Sequence, residues 1–258
     1  MLSYLCSKKY WQSIILLTQT AITRQNKDSF LGSLWGLIQP FVQIIIISYF
    51  FGFLLKLPKE QLIMNLVGAL PFWVFIVSSL NITSNSIIAR SSIIKKVVIS
   101  RTIFPVSDSL VQVYTLAYSF VSMYIAFIIL YPERFSIWII FLPILVLPLI
   151  ICVVSASIAF AFLTPYIRDV PQLLNLILNV VYWTIPIVYP YSLVPESKRI
   201  FFEINPVFIV IRPLQYLVTE GNMPDIFMIL KSFIVAMIGS VLSYLAYRYL
   251  AKNVIYYV

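Results

Sequence analysis

Long apolar runs separated by short charged loops constrain this chain more than any other feature. The clearest run from Leu34 to Leu55, Ile63 to Ile82, Ile103 to Leu130, Ile137 to Phe162 and Ile226 to Leu250. A helix needs about 20 apolar residues to cross a hydrocarbon core of roughly 30 Å, and each run is that long. Lipid offers no partner to backbone polar groups, so a continuous apolar run resolves as a helix. A membrane strand would instead alternate apolar and polar residues over about ten positions. Charged residues make up only 10% of the chain, against about a quarter in a soluble domain. The chain reads as an all-α polytopic membrane protein, a single transmembrane domain over residues 1–258 with no room for a large soluble one.

The formal net charge of +9 invites a nucleic-acid partner on composition alone. Its placement speaks for topology instead, because basic residues collect in loops that stay cytoplasmic. Lys8, Lys9, Arg24 and Lys27 precede the first span. Arg90, Lys95, Lys96 and Arg101 fill the loop after the second with no acid among them, and Arg248 and Lys252 follow the last. Arg168 follows the fourth, whereas the remaining loops mix both signs. Both termini are therefore expected in the cytoplasm, which requires an even number of spans. Membrane lipid is the expected environment and nucleic acid is not an expected partner.

Residues 1–30 read as a cytoplasmic interface helix. Trp11, Ile14, Ile15, Thr18 and Ile22 recur at helical spacing, with Lys8, Gln12, Gln19, Thr23 and Arg24 opposite. Such a helix lies at headgroup depth; an ordinary helix packed on the bundle is the alternative. Spans one to five are expected within 34–189, the fifth over Leu173 to Val188 and shorter than the rest. Residues 190–225 are semi-polar and broken by Pro195, Pro206, Pro213 and Pro224. They are expected to form two short helices dipping into or capping the outer face, with a plain external loop as the alternative. The last span occupies 226–250. Met1 to Gln12 does not read as a cleavable signal, since the apolar stretch behind it is too short.

Several chemistries find no residues to carry them. The six glycines never fall in the spacing that cradles nucleotide phosphates ahead of a lysine and a hydroxyl. There is no histidine, and Cys6 and Cys152 are far apart, so neither a metal cluster nor a disulfide is expected. Asp108 is the single acid well inside a span, with Gln112 one turn on as its expected partner. One acid makes no acid–base pair, so catalytic residues are expected to be none, and metal ligands none.

Five local words, in order, carry a resemblance. They are Leu31-Gly32-Ser33-Leu34-Trp35-Gly36-Leu37-Ile38-Gln39-Pro40, Leu70-Pro71-Phe72-Trp73-Val74-Phe75, Lys95-Lys96 followed by Ile103-Phe104-Pro105, Tyr166-Ile167-Arg168-Asp169-Val170, and Trp183-Thr184-Ile185-Pro186-Ile187-Val188-Tyr189 with Asn205-Pro206 after it. Together they resemble the permeases of ABC type-2 exporters of O-antigen, capsule and teichoic acid, the O-antigen permeases most of all. The resemblance implies six spans per subunit, a homodimer, and short periplasmic gate helices before the last span. It also implies a separate ATPase subunit that binds ATP and Mg, none being held by this chain. The cargo it implies is an undecaprenyl-diphosphate-linked polysaccharide, exported across the bacterial inner membrane. Drug or lipid export is the rival within the class, and a membrane-embedded glycosyl- or phosphotransferase the rival outside it.

The same resemblance suggests roles. Arg90, Lys95, Lys96 and Arg101 make the compact basic loop expected to couple to the ATPase; attracting anionic lipid is the alternative. Leu31 and Gly32 sit where the interface helix must turn into the first span. With Arg24 and Lys27 nearby they are expected to admit the substrate diphosphate, or else simply to form a turn flanked by positive charge. Aromatic residues reach 16%. Trp35, Phe72, Trp73, Phe75, Tyr114, Tyr118, Tyr182, Trp183 and Tyr189 are candidates to line a pore where sugar rings slide over aromatic faces. An interfacial belt or ordinary packing are the alternatives for each.

Overall fold

A computed structural model describes residues 8–27, 35–97, 99–132 and 136–257, and among them every regular element is helical. In chain order these are α1 (Lys8–Lys27), α2 (Trp35–Leu55), α3 (Lys59–Ser84), α4 (Ser86–Ala89), α5 (Ser91–Lys96) and α6 (Ile103–Leu130). A 3₁₀ turn, Ile137–Phe141, then leads into α7 (Leu142–Leu145) and α8 (Leu147–Leu163). The remainder are α9 (Val170–Thr184), α10 (Arg199–Glu203), α11 (Pro206–Glu220) and α12 (Ile226–Leu250). Among the described residues, three stretches are long and apolar enough to cross a membrane by length and composition: Lys59–Ser84, Ile137–Leu163 and Ile226–Leu250.

The bundle is organised around α3, which packs against α2, α6, α8, α9 and α11. Of its most apolar window 78% is buried, against 11% for α12. A helix apolar on every side needs either a protein core or lipid around it; α3 takes the first and α12 the second. The main core follows from this, with Leu66, Leu70 and Phe72 of α3 meeting Leu149 of α8 and Leu214 and Leu217 of α11. Small residues let α12 approach α8. A Cβ on Gly239 would sit 3.3 Å from the Cys152 Sγ, and the Ser155 and Ser240 hydroxyls share a hydrogen bond of 3.2 Å, as close helix pairs in membranes do. Gly68 performs the same service for α11, because a Cβ there would come within 3.1 to 3.2 Å of Val218 and the Gln215 backbone.

Several boundaries differ from expectation. The fifth run was expected to be helical to Val188, but α9 spans Val170–Thr184 and stops at Ile185, whose φ of −101° and ψ of 145° are extended. Pro186 explains this, since its ring disfavours helical geometry in the residue before it. At 15 residues, α9 is about 22 Å long, less than a hydrocarbon core. The second helix breaks at Asn85, so that α4 continues separately toward α5. In the semi-polar segment α11 has 15 residues, longer than the short helices expected there. Asn205 caps it, its Oδ1 accepting from the Val207 and Phe208 amides at 3.0 and 3.5 Å. Pro206 occupies the first turn and Gly221, at φ 66°, ends the helix, an arrangement of stop and start signals that strongly favours a helix here. The helices α10 and α11 meet at a bend of 108°.

The helix α1 lies against α6. Tyr10 and Ile14 are buried with Ile103, and the Tyr10 hydroxyl shares a 3.0 Å hydrogen bond with Thr102. Trp11, Ile15 and Leu16 are exposed on its other side. The apolar residues thus divide between two faces, one docked on α6 and one exposed.

Candidate functional site

The first polar feature of the apolar bundle is a surface cleft of about 420 Å³ where α2, α3 and α9 converge, its four amide side chains exposed. Helical spacing builds it. Gln39 and Gln43 are four residues apart on α2, and Asn175 and Asn179 are four apart on α9, so each pair presents both amides on one face. Val170, Leu174 and Leu178 form the buried side of α9. Ser78 and Trp73 of α3 complete the wall with Tyr182, whose ring lies 5.5 Å from that of Trp73. The Asn81 amide donates to the Asn175 Oδ1 at 2.8 Å, and the Asn179 amide donates to the Asn175 carbonyl at 3.0 Å. Amides on membrane helices are costly to leave against hydrocarbon, so this stripe calls for water, a second subunit or a polar ligand. Among the described residues, none that lines this cleft is charged. Its amides, hydroxyl and rings can exchange hydrogen bonds with an uncharged polar molecule, and they supply no nucleophile activated by a base.

A second cavity of about 400 Å³ shares Gln39, Val74 and Ser78 with the first. It extends beneath α1 to Gln25 and along α6 to Asp108, Gln112 and Thr115. At its edge the expected Asp108–Gln112 contact is replaced by a stronger one. Arg90 donates two hydrogen bonds of 2.7 Å to the two carboxylate oxygens of Asp108, while the Phe104 ring lies 5.5 Å from the guanidinium. A bidentate charge-assisted pair outcompetes an amide at short range. It ties the junction of α4 and α5 to the base of α6.

At the far end of α3 a buried amide pair joins three segments. The Gln215 amide donates to the Asn65 Oδ1 at 2.9 Å and to the Pro186 carbonyl at 2.8 Å. Asn65 donates in turn to the Ile187 carbonyl at 2.7 Å. This holds the non-helical turn after α9 against α3 and α11. Beside it, burial pushes the Tyr191 hydroxyl above its ordinary pKa, and the neighbouring Glu203 carboxylate adds to the effect.

The structure divides the residues singled out in the sequence. Of the four expected to couple to an ATPase, Lys95 and Lys96 are exposed at the last turn of α5. Arg90 is engaged by Asp108, and Arg101 donates to the Ala251 carbonyl at 3.3 Å. There it joins Tyr166, whose hydroxyl donates to the Leu250 carbonyl at 2.8 Å, in satisfying the end of α12. Of the candidate pore aromatics, Trp73 and Tyr182 line the cleft. Trp183 is 61% exposed against Tyr182. Phe72 and Phe75 are buried in the core, Phe72 against Phe120, and that packing occupies them. Tyr114 is exposed on α6, and Tyr118 and Tyr189 are half-buried. Arg24 is exposed on α1, whereas Leu31, Gly32 and the side chains of Lys27 and Trp35 lie outside the described residues. Sequence reasoning passed over Gln43, Asn175 and Asn179; amides repeating every four residues in an apolar run were the available signal.

The sequence profile described as ABC-2 type transporter matches residues 12–218. The chain is also similar to two proteins from Klebsiella pneumoniae, each named O-antigen export system permease protein RfbA. One is 25% identical over 241 residues, covering 92% of this chain and 93% of the relative. The other is 23% identical over 211 residues, covering 81% of each. A protein of the same name from Myxococcus xanthus is 21% identical over 221 residues, covering 84% of each.

Proposed function

Because the chain belongs to the ABC-2 type transporter family, we propose that it is the membrane subunit of an ATP-driven exporter of lipid-linked polysaccharide of the O-antigen type. Two copies pair with two ATPase subunits, which bind ATP and Mg. Each copy crosses the inner membrane six times, α2, α6 and α9 joining Lys59–Ser84, Ile137–Leu163 and Ile226–Leu250 as spans, α9 together with the non-helical turn that follows it, with both termini cytoplasmic and α10 and α11 acting as periplasmic gate helices. The observation that carries this reading is the uncharged cleft between α2, α3 and α9. A polymer of hydroxyl-rich rings must move past its walls without being gripped, and amides beside aromatic faces offer many weak, interchangeable contacts. The cavity beneath α1, which shares Gln39, Val74 and Ser78 with the cleft, supports loading beside α1; Arg24, Lys27, Leu31 and Gly32 are the residues to which the sequence assigns that step.

Lys95 and Lys96 are the coupling residues in this scheme, presented on α5, while the Arg90–Asp108 pair passes the movement of α5 to α6. In a host deleted for this chain, the wild-type sequence is expected to restore surface polysaccharide. The variant carrying Lys95→Ala and Lys96→Ala is expected to insert normally, to leave ATP hydrolysis by the complex intact, and to restore less than about a tenth of the polymer, the loss of roughly two charge-assisted contacts. Equal restoration by the variant would remove the coupling assignment.

A further inference from the structure

A cavity of about 220 Å³ opens beside Tyr191, where α10, α11 and the start of α12 meet. Two chemistries line it. Four charged side chains come from three helices: Glu203 from α10, Arg212 from α11, and Asp225 at the cap of α12 with Lys231 in its second turn. Phe227 and Met228 of α12 supply an apolar side. The volume is below the roughly 300–1,000 Å³ of sites that enclose a drug-sized molecule. It suits a small polar group whose attachments stay outside.

The charges line the cavity without closing on one another. Among the described residues, no ion pair within 4.0 Å joins any of these four to another. The Arg212 guanidinium stacks over the Tyr191 ring at 4.7 Å, and the Tyr191 hydroxyl donates to the Glu203 Oε1 at 3.4 Å. One ring therefore sets the positions of a cation and an anion. Lys231 is an exposed lysine on a helix otherwise apolar as far as Tyr247, about 8 Å along the axis from Ile226. A lysine at that depth is costly unless its head reaches a polar layer or a counter-charge. Side chains on a helix lean toward its N-terminus, in keeping with the place of Lys231 in the cavity wall.

We propose that this cavity binds the headgroup of a zwitterionic bilayer phospholipid, a phosphodiester carrying a primary ammonium. Two cations and two carboxylates sum to zero, so an anionic headgroup gains no net attraction here, while one carrying both signs pairs with both. Arg212 can take phosphate oxygens in a bidentate fork, and Lys231 adds a point charge. The ligand's ammonium brings three N–H donors to the acceptor oxygens of Glu203 and Asp225. A quaternary ammonium lacks those donors and is disfavoured. Phe227, Leu230 and Ile234 are exposed on α12, a helix long and apolar enough to cross a membrane, and they offer the acyl chains a surface leading away from the headgroup. A headgroup shared by Glu203, Arg212 and Lys231 ties the bent pair α10 and α11 to α12. The site is independent of the cargo that the complex carries.

The test titrates the purified chain, alone and with its companion ATPase, with phosphatidylethanolamine, phosphatidylglycerol or phosphatidylcholine of matched acyl chains, and counts bound lipid by native mass spectrometry. Phosphatidylethanolamine is expected to bind about tenfold more tightly than either of the others, the difference of one charge-assisted contact. Lys231→Ala is expected to weaken that binding by about the same factor, and Val241→Ala, on the exposed face of α12 away from the cavity, to leave it unchanged. The pair Glu203→Gln with Asp225→Asn leaves two cations in the wall and is expected to reverse the order, phosphatidylglycerol then binding best. Equal binding of all these lipids by the parent, a parental preference for phosphatidylglycerol, or an unaltered order in the double variant overturns the proposal. Inorganic phosphate in excess is expected not to displace the lipid; displacement would assign the cavity to a free anion and overturn it as well. Thermal melts by circular dichroism, expected to match between parent and Lys231→Ala before lipid is added, show that the loss is read on folded protein.

Discussion

Asp108→Ala is expected to destabilise the bundle by about 1–3 kcal/mol, the cost of leaving a hydrogen-bonded charged group unpaired, since the Arg90 side chain stays 29% exposed to solvent. Asp108 is 7% exposed, and its two oxygens satisfy Arg90 at 2.7 Å each. Among the described residues, removing the carboxylate leaves the guanidinium with the Ser86 carbonyl, at 3.3 Å, and the Phe104 ring. That is a cation stranded beside a cavity with no counter-charge. The double variant Arg90→Leu with Asp108→Leu removes both desolvated groups and is expected to recover most of the loss. A double-mutant cycle on detergent unfolding reads the difference directly. Additive single losses, with the double variant as unstable as their sum, would show that the two residues do not act as a pair.

Gln215→Leu is expected to cost about 1–3 kcal/mol for each acceptor it leaves unpaired, and it leaves two. The Asn65 Oδ1 loses its donor at 2.9 Å and the Pro186 carbonyl its donor at 2.8 Å. Both sit against a side chain that is 1% exposed, so water cannot replace the bonds without opening the packing. The expected consequence is local: α11 and the turn at residues 185–189 loosen while the α8–α12 contact persists. Limited proteolysis measures this, with faster cleavage expected across 185–205 in the variant. Protection equal to that of the parent would mean that apolar packing of Leu214 and Leu217 holds α11 without the amides.

These two contacts also mark where the sequence stops being informative. Apolar run length located the helices well because lipid imposes a length on each of them. α6 and α12 begin and end at Ile103, Leu130, Ile226 and Leu250, the bounds their runs suggest. Local chemistry set other ends, as Asn205, Pro206 and Gly221 do for α11. The fifth helix was misjudged because apolarity continues past Pro186 while helical backbone cannot. Pairings between distant segments left no local trace. Arg90 and Asp108 are separated by α5 and the break after it, so the neighbour at helical spacing, Gln112, looked the better partner. Asn65 and Gln215 are 150 residues apart. Aromatic content pointed toward a pore without distinguishing Trp73 and Tyr182, which line the cleft, from Phe72 and Phe75, which fill the core. The cleft's polarity comes instead from Gln39, Gln43, Asn175 and Asn179, a thin stripe within long apolar runs.

The central claim is that this chain conducts its cargo and draws its energy from a separate protein. The most direct measurement purifies the chain alone and together with its companion ATPase, reconstitutes each into vesicles, and follows nucleotide hydrolysis and polymer transfer. Hydrolysis and transfer are predicted with the complex, and neither with the chain alone. Nucleotide hydrolysis or glycosidic-bond formation by the isolated chain would contradict the account.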